Sequence, residues 1–181
     1  MSSKIAILAL TAFAVSAQAQ EHIHKQELKR KLFSEGTLAK TGISALWGTA
    51  RNSPHEWDRS FAGFGKRAAS SYGQRAVKGL VEFSTSEYTH EDLRYRKSEL
   101  YGTLPRLKYA VLRTFWVPQD VGTGYTFATG RVAGAFVAGQ VSRSWMPDRV
   151  ATFGAGMQRT GFSLGLDVGW NIFREFWSKR R

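Results

Sequence analysis

The sequence predicts a mainly α-helical protein, a small helical bundle that ends in a glycine-rich antiparallel helical hairpin. Apolar residues recur at steps of three and four across residues 54–117, which is the spacing of one face of an α-helix. Two long segments that contain glycine, 127–145 and 149–178, follow, and only Met146-Pro147-Asp148 separates them. Segments joined this tightly are expected to fold back on each other as a hairpin. The 181 residues include no cysteine, which excludes a disulfide scaffold, a thiolate metal site and a cysteine nucleophile.

Residues 1–19 predict a secretory signal peptide. Lys4 precedes an apolar run, Ile5–Val15, and Ala17-Gln18-Ala19 has the small-x-small pattern of a cleavage site. This run is too short to cross a bilayer as a helix, which takes about 20 residues, although an uncleaved membrane anchor is the alternative. We therefore expect an exported protein, periplasmic or associated with the outer membrane, whose mature chain starts near Gln20.

The charge of the chain points to an anionic partner. The formal net charge is +12, and removal of Lys4 with the signal peptide leaves +11. Partners of this kind in an envelope are anionic lipid headgroups, an envelope polysaccharide or another envelope protein. Nucleic acid is not expected as a partner, because an exported protein rarely meets it.

The mature chain is expected to begin with a basic arm, residues 20–36, before a single helical domain, 37–181. A short helix is predicted over 38–50, with Thr37 as its N-cap. The next helix is predicted to start at Ser53-Pro54-His55-Glu56, because serine, proline and glutamate stand where a capping box places them.

This second predicted helix runs to about Thr85 and is amphipathic. Its expected buried face comprises Trp57, Phe61, Phe64, Ala68, Tyr72, Ala76, Leu80 and Phe83. Its expected outer, basic face comprises Arg59, Gly63, Lys66, Ser70, Gln74, Lys78 and Glu82. Residues 86–102 lose the pattern and are predicted to form an ordered loop. A third helix is predicted from Thr103 until Pro118 ends it, before a turn over 120–124.

Glycines are expected to hold the C-terminal hairpin together. Counting back from the turn at Pro147 brings two glycines of the first helix level with three of the second. Each internal glycine costs about 0.5–1 kcal/mol relative to alanine, so close approach of the two helices is the natural reason for them. The residues predicted to pack in this way are Gly130, Gly134, Gly161, Gly165 and Gly169.

Two alternatives concern the same hairpin. Residues 162–172 also alternate with the period of a β-strand, as in a small outer-membrane β-barrel. Residues 127–145 would be about 28 Å long as a helix, which is close to a membrane span. Arg131 and Asp167 are among the charges that oppose insertion, so a soluble core and insertion or association at the membrane interface both stay open.

Three short clusters, together with Trp57 and the stretch 63–72, resemble an uncharacterised family of exported bacterial envelope proteins. The clusters are His90-Glu91-Asp92-Leu93-Arg94-Tyr95, Ser144-Trp145-Met146-Pro147 and Phe173-Arg174-Glu175-Phe176-Trp177. The resemblance covers roughly residues 45–178. It implies export and a mainly helical domain, and it brings no known activity, cofactor or catalytic residue.

The densest polar group lies in the predicted loop and could serve catalysis or structure. A catalytic interpretation makes His90 a general base that Glu91 or Asp92 orients, with Arg94 nearby. A structural interpretation has the acids pair with Arg94 or Arg96 and cap the neighbouring helix ends. The sequence contains none of the GxSxG, P-loop or HExxH motifs, and no cofactor is expected.

His22 and His24 are the weak candidates for a metal site. Cleavage after Ala19 would make His22 the third residue, and a free amine, two amides and an imidazole can hold Cu(II) or Ni(II) in a plane. A solvated tail is the alternative interpretation.

The sequence as a whole favours an exported, non-catalytic protein with a binding or structural role at an anionic envelope or membrane surface. The first alternative is a periplasmic enzyme of unknown reaction that uses the loop at 88–96, and the second is the small barrel. At the C-terminus, aromatic residues precede Lys179-Arg180-Arg181. This ending suits either a membrane interface or a helix end packed on the domain.

Overall fold

The computed structural model describes residues 33–120 and 122–177. Within them the protein is mainly helical, as predicted. The predicted signal peptide and the residues His22 and His24 lie outside the described residues, as does Lys179-Arg180-Arg181. The five α-helices are α1 (Glu35–Ala50), α2 (Phe61–Thr89), α3 (Thr103–Phe115), α4 (Thr129–Val141) and α5 (Phe153–Trp177).

Short elements connect these helices. An antiparallel pair of strands, β1 (Trp116–Pro118) and β2 (Tyr125–Phe127), joins α3 to α4, with Val117 opposite Thr126. Two 3-10 helices, Ser142–Trp145 and Asp148–Val150, join α4 to α5. Helix α4 packs along α2 on one side and against α5 on the other, α1 covers α2, and α3 covers α5.

The N-terminal boundary of the domain differs from the prediction. Ser34, and not Thr37, caps α1: its hydroxyl accepts a hydrogen bond from the Thr37 backbone N–H at 3.1 Å. Glu35 then occupies the first turn, where the helix dipole favours an acidic side chain. Glu35 and Gly36 therefore belong to the helix and not to the basic arm.

The predicted capping box at Ser53 is wrong, because the N-cap of α2 is Ser60, seven residues later. The buried Arg67 guanidinium explains the difference. It donates to the carbonyl oxygens of Ser53 (3.2 Å), Pro54 (2.8 Å) and Asp58 (2.7 Å), which holds residues 53–58 as a loop. A helix starting at Pro54 would need those carbonyl groups for its own hydrogen bonds.

The predicted orientation of α2 is also wrong. Three of its six buried residues come from the face expected to be outside and none from the face expected to be buried, while Phe61 is 91% exposed and Leu80 is exposed as well. The reason is the close packing of α4: a Cβ atom added to Gly134 would lie 2.8 Å from the Lys78 carbonyl oxygen. Helices in such close contact accept small side chains at the contact. The buried residues of α2 are Gly63, Arg67, Ser70, Lys78, Gly79 and Ser86.

Helices α4 and α5 form the predicted antiparallel hairpin, but other residues hold it. The Thr160 hydroxyl donates to the Ala135 carbonyl, and a Cβ atom on Gly139 would lie 2.6 Å from the Gly156 carbonyl oxygen. The predicted strand over 162–172 is part of α5 and is helical throughout.

The five predicted hairpin glycines do not meet, so that detail of the prediction is wrong. Gly130 and Gly134 face α2, where added Cβ atoms would contact the carbonyl oxygens of Glu82 and Lys78. Added Cβ atoms at Gly161, Gly165 and Gly169 would have nothing within 4 Å. The hairpin is thus rotated about its helix axes relative to the prediction.

This rotation gives a matched pair of substitutions with opposite expected effects. Gly134→Ala should destabilise the protein by about 1–3 kcal/mol, because the methyl group overlaps the backbone of α2. Gly165→Ala should stabilise it by about 0.5–1 kcal/mol, since the site is open and alanine favours a helix. Urea unfolding of both variants checks the prediction, and a stabilising Gly134→Ala would contradict the packing of α2 and α4.

The distribution of apolar side chains is unusual for a helical bundle. The buried apolar residues of the described chain are small: Ala45, Ala110, Val117, Ala128, Ala135 and Ala138. Large apolar side chains lie outside on every helix, among them Leu46 and Trp47 of α1, Leu104 and Leu112 of α3, and Phe162 and Trp177 of α5. Among residues 33–120 and 122–177, none of the helices combines the length and apolar character that crossing a membrane requires.

Candidate functional site

A polar cavity of about 840 Å³ lies between α1, α2, α5 and the loop at residues 90–95. Its inner wall carries buried or half-buried charged groups: Lys40, Arg75, Lys78, Glu82, Arg131 and Asp167. Its rim carries exposed ones: Glu35, Glu87, His90, Arg94, Asp120 and Arg174. This polar cavity brings together several buried charged groups and the loop that the sequence marked as a candidate site.

Asp167 is the centre of the inner wall. Its Oδ1 accepts a hydrogen bond from the Lys40 ammonium at 2.6 Å, and its Oδ2 accepts one from Lys78, which also donates to the Ser163 hydroxyl at 3.2 Å. Burial raises the pKa of Asp167, but the two ammonium groups outweigh burial and hold that pKa well below its ordinary value. Burial lowers the pKa of Lys40 although Asp167 opposes the shift.

Regular helix spacing puts these groups in place. Asp167, Asn171 and Glu175 follow one another at intervals of four residues on α5, so they share one face. This face is buried, while Phe162, Phe173 and Trp177 point outward.

The predicted catalytic residues do not form a dyad. His90 ends α2 in the left-handed conformation, with φ of 54°, and its side chain is exposed. Glu91 and Asp92 are buried and bind elsewhere. Asp92 accepts hydrogen bonds from the Arg96 guanidinium at 2.8 Å and from the backbone N–H of Arg94 at 3.0 Å.

Glu91 caps α4 from outside the helix. Its Oε1 accepts from the Thr129 backbone N–H at 3.1 Å and its Oε2 from that of Gly130 at 3.0 Å. These are free N–H groups at a helix start, where a negative charge is favoured. The structural interpretation of the acids, pairing with Arg96 and capping a helix end, is therefore confirmed.

Removing the charge of this cap should weaken the attachment of the loop to α4. Glu91→Gln is expected to lower the free energy of unfolding by about 1–2 kcal/mol, because a buried carboxylate is lost from a helix start. Urea unfolding measures the loss, and exposed Glu99→Gln in the same loop is the control, with an expected change within about 0.5 kcal/mol. Equal effects of the two substitutions would show that Glu91 is not a cap.

Glu175 forms a second buried polar cluster on the same face of α5. Its side chain is 0% exposed, and it accepts hydrogen bonds from Tyr95 at 2.7 Å, from the Ser98 backbone N–H at 3.1 Å and hydroxyl at 2.5 Å, and from Arg106 at 2.9 Å. Burial raises the pKa of Glu175, but these donors outweigh burial and lower the pKa to about 2. Burial and the nearby carboxylate raise the pKa of Tyr95. This cluster fixes the loop and α3 against α5.

The lowered pKa predicts acid sensitivity. The pKa of Glu175 is about 2 in the folded protein, whereas its ordinary value is 4.5. The ionised carboxylate therefore contributes fully to the free energy of unfolding above pH 4.5, and this contribution is lost as the pH falls to about 2. Urea unfolding at both ends of this range should show the decrease, and Glu175→Gln should show a smaller one. An undiminished pH dependence in Glu175→Gln would contradict this assignment.

Two arginines of the polar cavity bind only uncharged groups. Arg75 donates through Nη2 to the Lys40 carbonyl at 2.8 Å and the Ser44 hydroxyl at 2.7 Å, and its buried Nε has no hydrogen-bond partner among the residues that the structure describes. Arg131 donates to the backbone carbonyls of Thr114 and, at 2.9 Å, of Leu93. Burial lowers the pKa of Arg75 to about 10.

Metal chemistry has no visible donor set in the part of the chain that the structure describes. No three His, Asp or Glu side chains lie there in an arrangement that could hold a metal ion. The polar cavity therefore presents charged and hydrogen-bonding side chains, without a recognisable set of metal ligands among the described residues.

The sequence identified the loop at residues 90–95 as a candidate site, but it did not identify the charged residues of the inner wall. Lys78 and Asp167 are separated by 89 positions, so no local pattern joins them. One usable signal was present in Lys40, which is the only basic residue of α1 and stands among small and apolar residues. A comparison of the chain with models of protein families, with curated proteins and with solved structures finds no match.

Proposed function

We propose that this protein acts by binding, at an anionic lipid surface of the cell envelope, and that the aromatic end of α5 makes the contact. The observation that carries the proposal is a ladder of three stacked rings, Trp170, Phe173 and Trp177, which we call the aromatic ladder. Successive ring centroids are 5.3 and 5.6 Å apart. Phe173 is 44% and Trp177 78% exposed, so the outer rings are free to enter an interface.

The charge next to the aromatic ladder suits the same partner. Lys179, Arg180 and Arg181 follow Trp177 in the sequence after a single residue, Ser178. Tryptophan is enriched at the headgroup level of membranes, and each nearby lysine or arginine contributes about 1 kcal/mol at an anionic surface. The formal net charge of +12 favours the same surface over a neutral one.

The outer side of α1 adds apolar area of the kind that peripheral proteins use. Leu38, Ile43, Leu46 and Trp47 are all exposed, and the only basic side chain of α1, Lys40, is turned inward to Asp167. Exposed apolar surface of this extent is uncommon in proteins that act alone in water. The catalytic alternative has less support, because Glu91 and Asp92 are committed to structural contacts.

Vesicle binding tests the proposal. The purified protein should sediment with vesicles of phosphatidylcholine mixed with phosphatidylglycerol, less with phosphatidylcholine alone, and less at high salt. The double substitution Phe173→Ser with Trp177→Ser should weaken binding to the mixed vesicles at least about tenfold, since two apolar rings are lost. Salt-independent binding to both vesicle types would contradict the anionic surface as the partner.

A matched control is available at the other end of the molecule. Phe61 is exposed like Trp177 but lies at the start of α2, beside the C-terminal end of α1. Trp170 packs against Gly36 at the opposite end of α1, about 24 Å away by the rise of a 16-residue helix. Phe61→Ser should leave vesicle binding unchanged, and an equal loss in both variants would argue against the aromatic ladder as the contact.

A further inference from the structure

The inner wall of the polar cavity holds more positive charge than its carboxylates balance. Lys40 and Lys78 share the single carboxylate of Asp167. Glu82 is the next acidic group, 3.6 Å from the Lys78 ammonium. The two lysines therefore form the ion pairs with these two carboxylates, and Asp167 acts on Arg75 only from beyond ion-pair distance.

Arg75 and Arg131 are the arginines of the same wall, and neither forms an ion pair within the described residues. Arg75 donates only through Nη2, so its Nη1 and Nε have no partner among the described residues. Arg131 is buried and donates only to backbone carbonyl oxygens. Both side chains line the polar cavity.

The remaining carboxylates of the polar cavity either bind other groups or lie exposed at its rim. Glu91 is bound by the first N–H groups of α4, and Asp92 by Arg96. The others, Glu35, Glu87 and Asp120, are exposed at the rim, where water screens them.

A buried charge without a counter-ion is costly, and a bound anion offsets that cost. We propose that the polar cavity binds one oxyanion of the phosphate class, either free phosphate or the phosphate of a lipid headgroup, which compensates Arg75 and Arg131. Guanidinium groups suit this ligand, because their N–H donors match the spacing of phosphate oxygens. The volume of about 840 Å³ is of the size that ligand sites have.

The position of Trp170 connects this site with the aromatic ladder. Trp170 lines the polar cavity and is the first ring of the ladder. A lipid could therefore place its phosphate in the polar cavity and its apolar part along Phe173 and Trp177. The lipid source depends on the proposed membrane contact, whereas binding of free phosphate does not.

Calorimetric titration of the purified protein tests the site without any membrane. The probes are inorganic phosphate and a short-chain phosphatidylglycerol kept below its micelle concentration. Binding of either probe with a stoichiometry of one supports the site. Binding of both probes means that the site recognises the phosphate group itself. Binding of the lipid alone means that it recognises a lipid headgroup. Binding of neither overturns the proposal.

Substitution of Arg75 tests whether the anion binds next to this side chain. Arg75→Gln should weaken binding at least about tenfold, which corresponds to the loss of one charge-assisted contact, and Arg75→Lys should restore part of it. Arg149→Gln removes an exposed arginine that does not line the polar cavity and should bind like the unchanged protein. Equal affinity of Arg75→Gln and Arg149→Gln overturns the proposal even where the probe binds.

The two proposals fail separately. Loss of vesicle binding in Phe173→Ser with Trp177→Ser, with phosphate binding retained, would support both sites. Vesicle binding that survives this double substitution would remove the aromatic ladder as the contact and leave the phosphate site intact. A folded Arg75→Gln protein is recognised by an unchanged helical circular dichroism spectrum, and Arg75→Lys keeps the test valid if Arg75→Gln does not fold.

Discussion

Replacing Glu175 with alanine is expected to lower the free energy of unfolding by about 3–5 kcal/mol, a large part of the stability of a domain this size. The carboxylate is fully buried, and donors from the loop and from α3 converge on it. Its removal leaves the Arg106 charge and the Ser98 N–H without their acceptor. Urea unfolding followed by circular dichroism measures the loss.

Two further variants separate the effect of the charge from that of a cavity. Glu175→Gln keeps the volume and one acceptor, so it should cost less than Glu175→Ala. Arg174→Ala changes an exposed neighbour on the same helix and should stay within about 0.5 kcal/mol of the unchanged protein. A Glu175→Ala protein as stable as Arg174→Ala would show that the buried cluster does not hold the loop to α5.

The helices themselves could be predicted from the sequence, because their signals are local. Thr103 and Pro118 bracket α3 closely, and the break at Pro147 separates α4 from α5 as expected. The start of α2 was not predictable in this way, because Ser53 and Ser60 are both good N-caps. The choice between them depends on Arg67, which reaches back from within the helix to the carbonyls of residues 53–58.

The faces of the helices were not predictable, because the usual rule turns apolar residues inward. In this protein the inward positions combine small residues with charged ones that find partners on distant helices. Gly134 lets α4 approach the backbone of α2, and Lys78 meets Asp167 across that contact. A pattern of period 3.6 distinguishes two opposite faces of a helix. It does not show which face packs against charged partners on distant helices and is therefore buried.

The same packing connects the fold with both proposals. Since charged groups occupy the interior, Phe173, Trp177 and the apolar side of α1 remain outside, where a lipid surface could cover them. Since the interior charges are not all balanced, Arg75 and Arg131 leave room for an anion in the polar cavity. The surface contact and the internal site thus follow from one arrangement of the helices.

Asp167→Asn is the second substitution with a large expected effect, about 3–5 kcal/mol of lost stability at pH 7. The carboxylate holds Lys40 of α1 and Lys78 of α2 against α5, and both ammonium groups are largely buried. Without it two positive charges face each other and Arg75 on the inner wall. Urea unfolding measures the loss, with Asp120→Asn, an exposed carboxylate at the rim of the same cavity, as the control.

The pH dependence of Asp167→Asn distinguishes a lost ion pair from a simple packing defect. Burial already lowers the pKa of Lys40, and Asp167 is the group that opposes this shift, so its loss should lower that pKa further. The unfolded chain then binds more protons than the folded one below the ordinary lysine pKa, and stability must rise with pH. As the pH rises toward the ordinary lysine pKa, the Asp167→Asn protein should therefore regain stability relative to Asp120→Asn. A constant difference between these two variants would mean that Asp167 stabilises the bundle by packing alone and not as the shared counter-ion of two buried lysines.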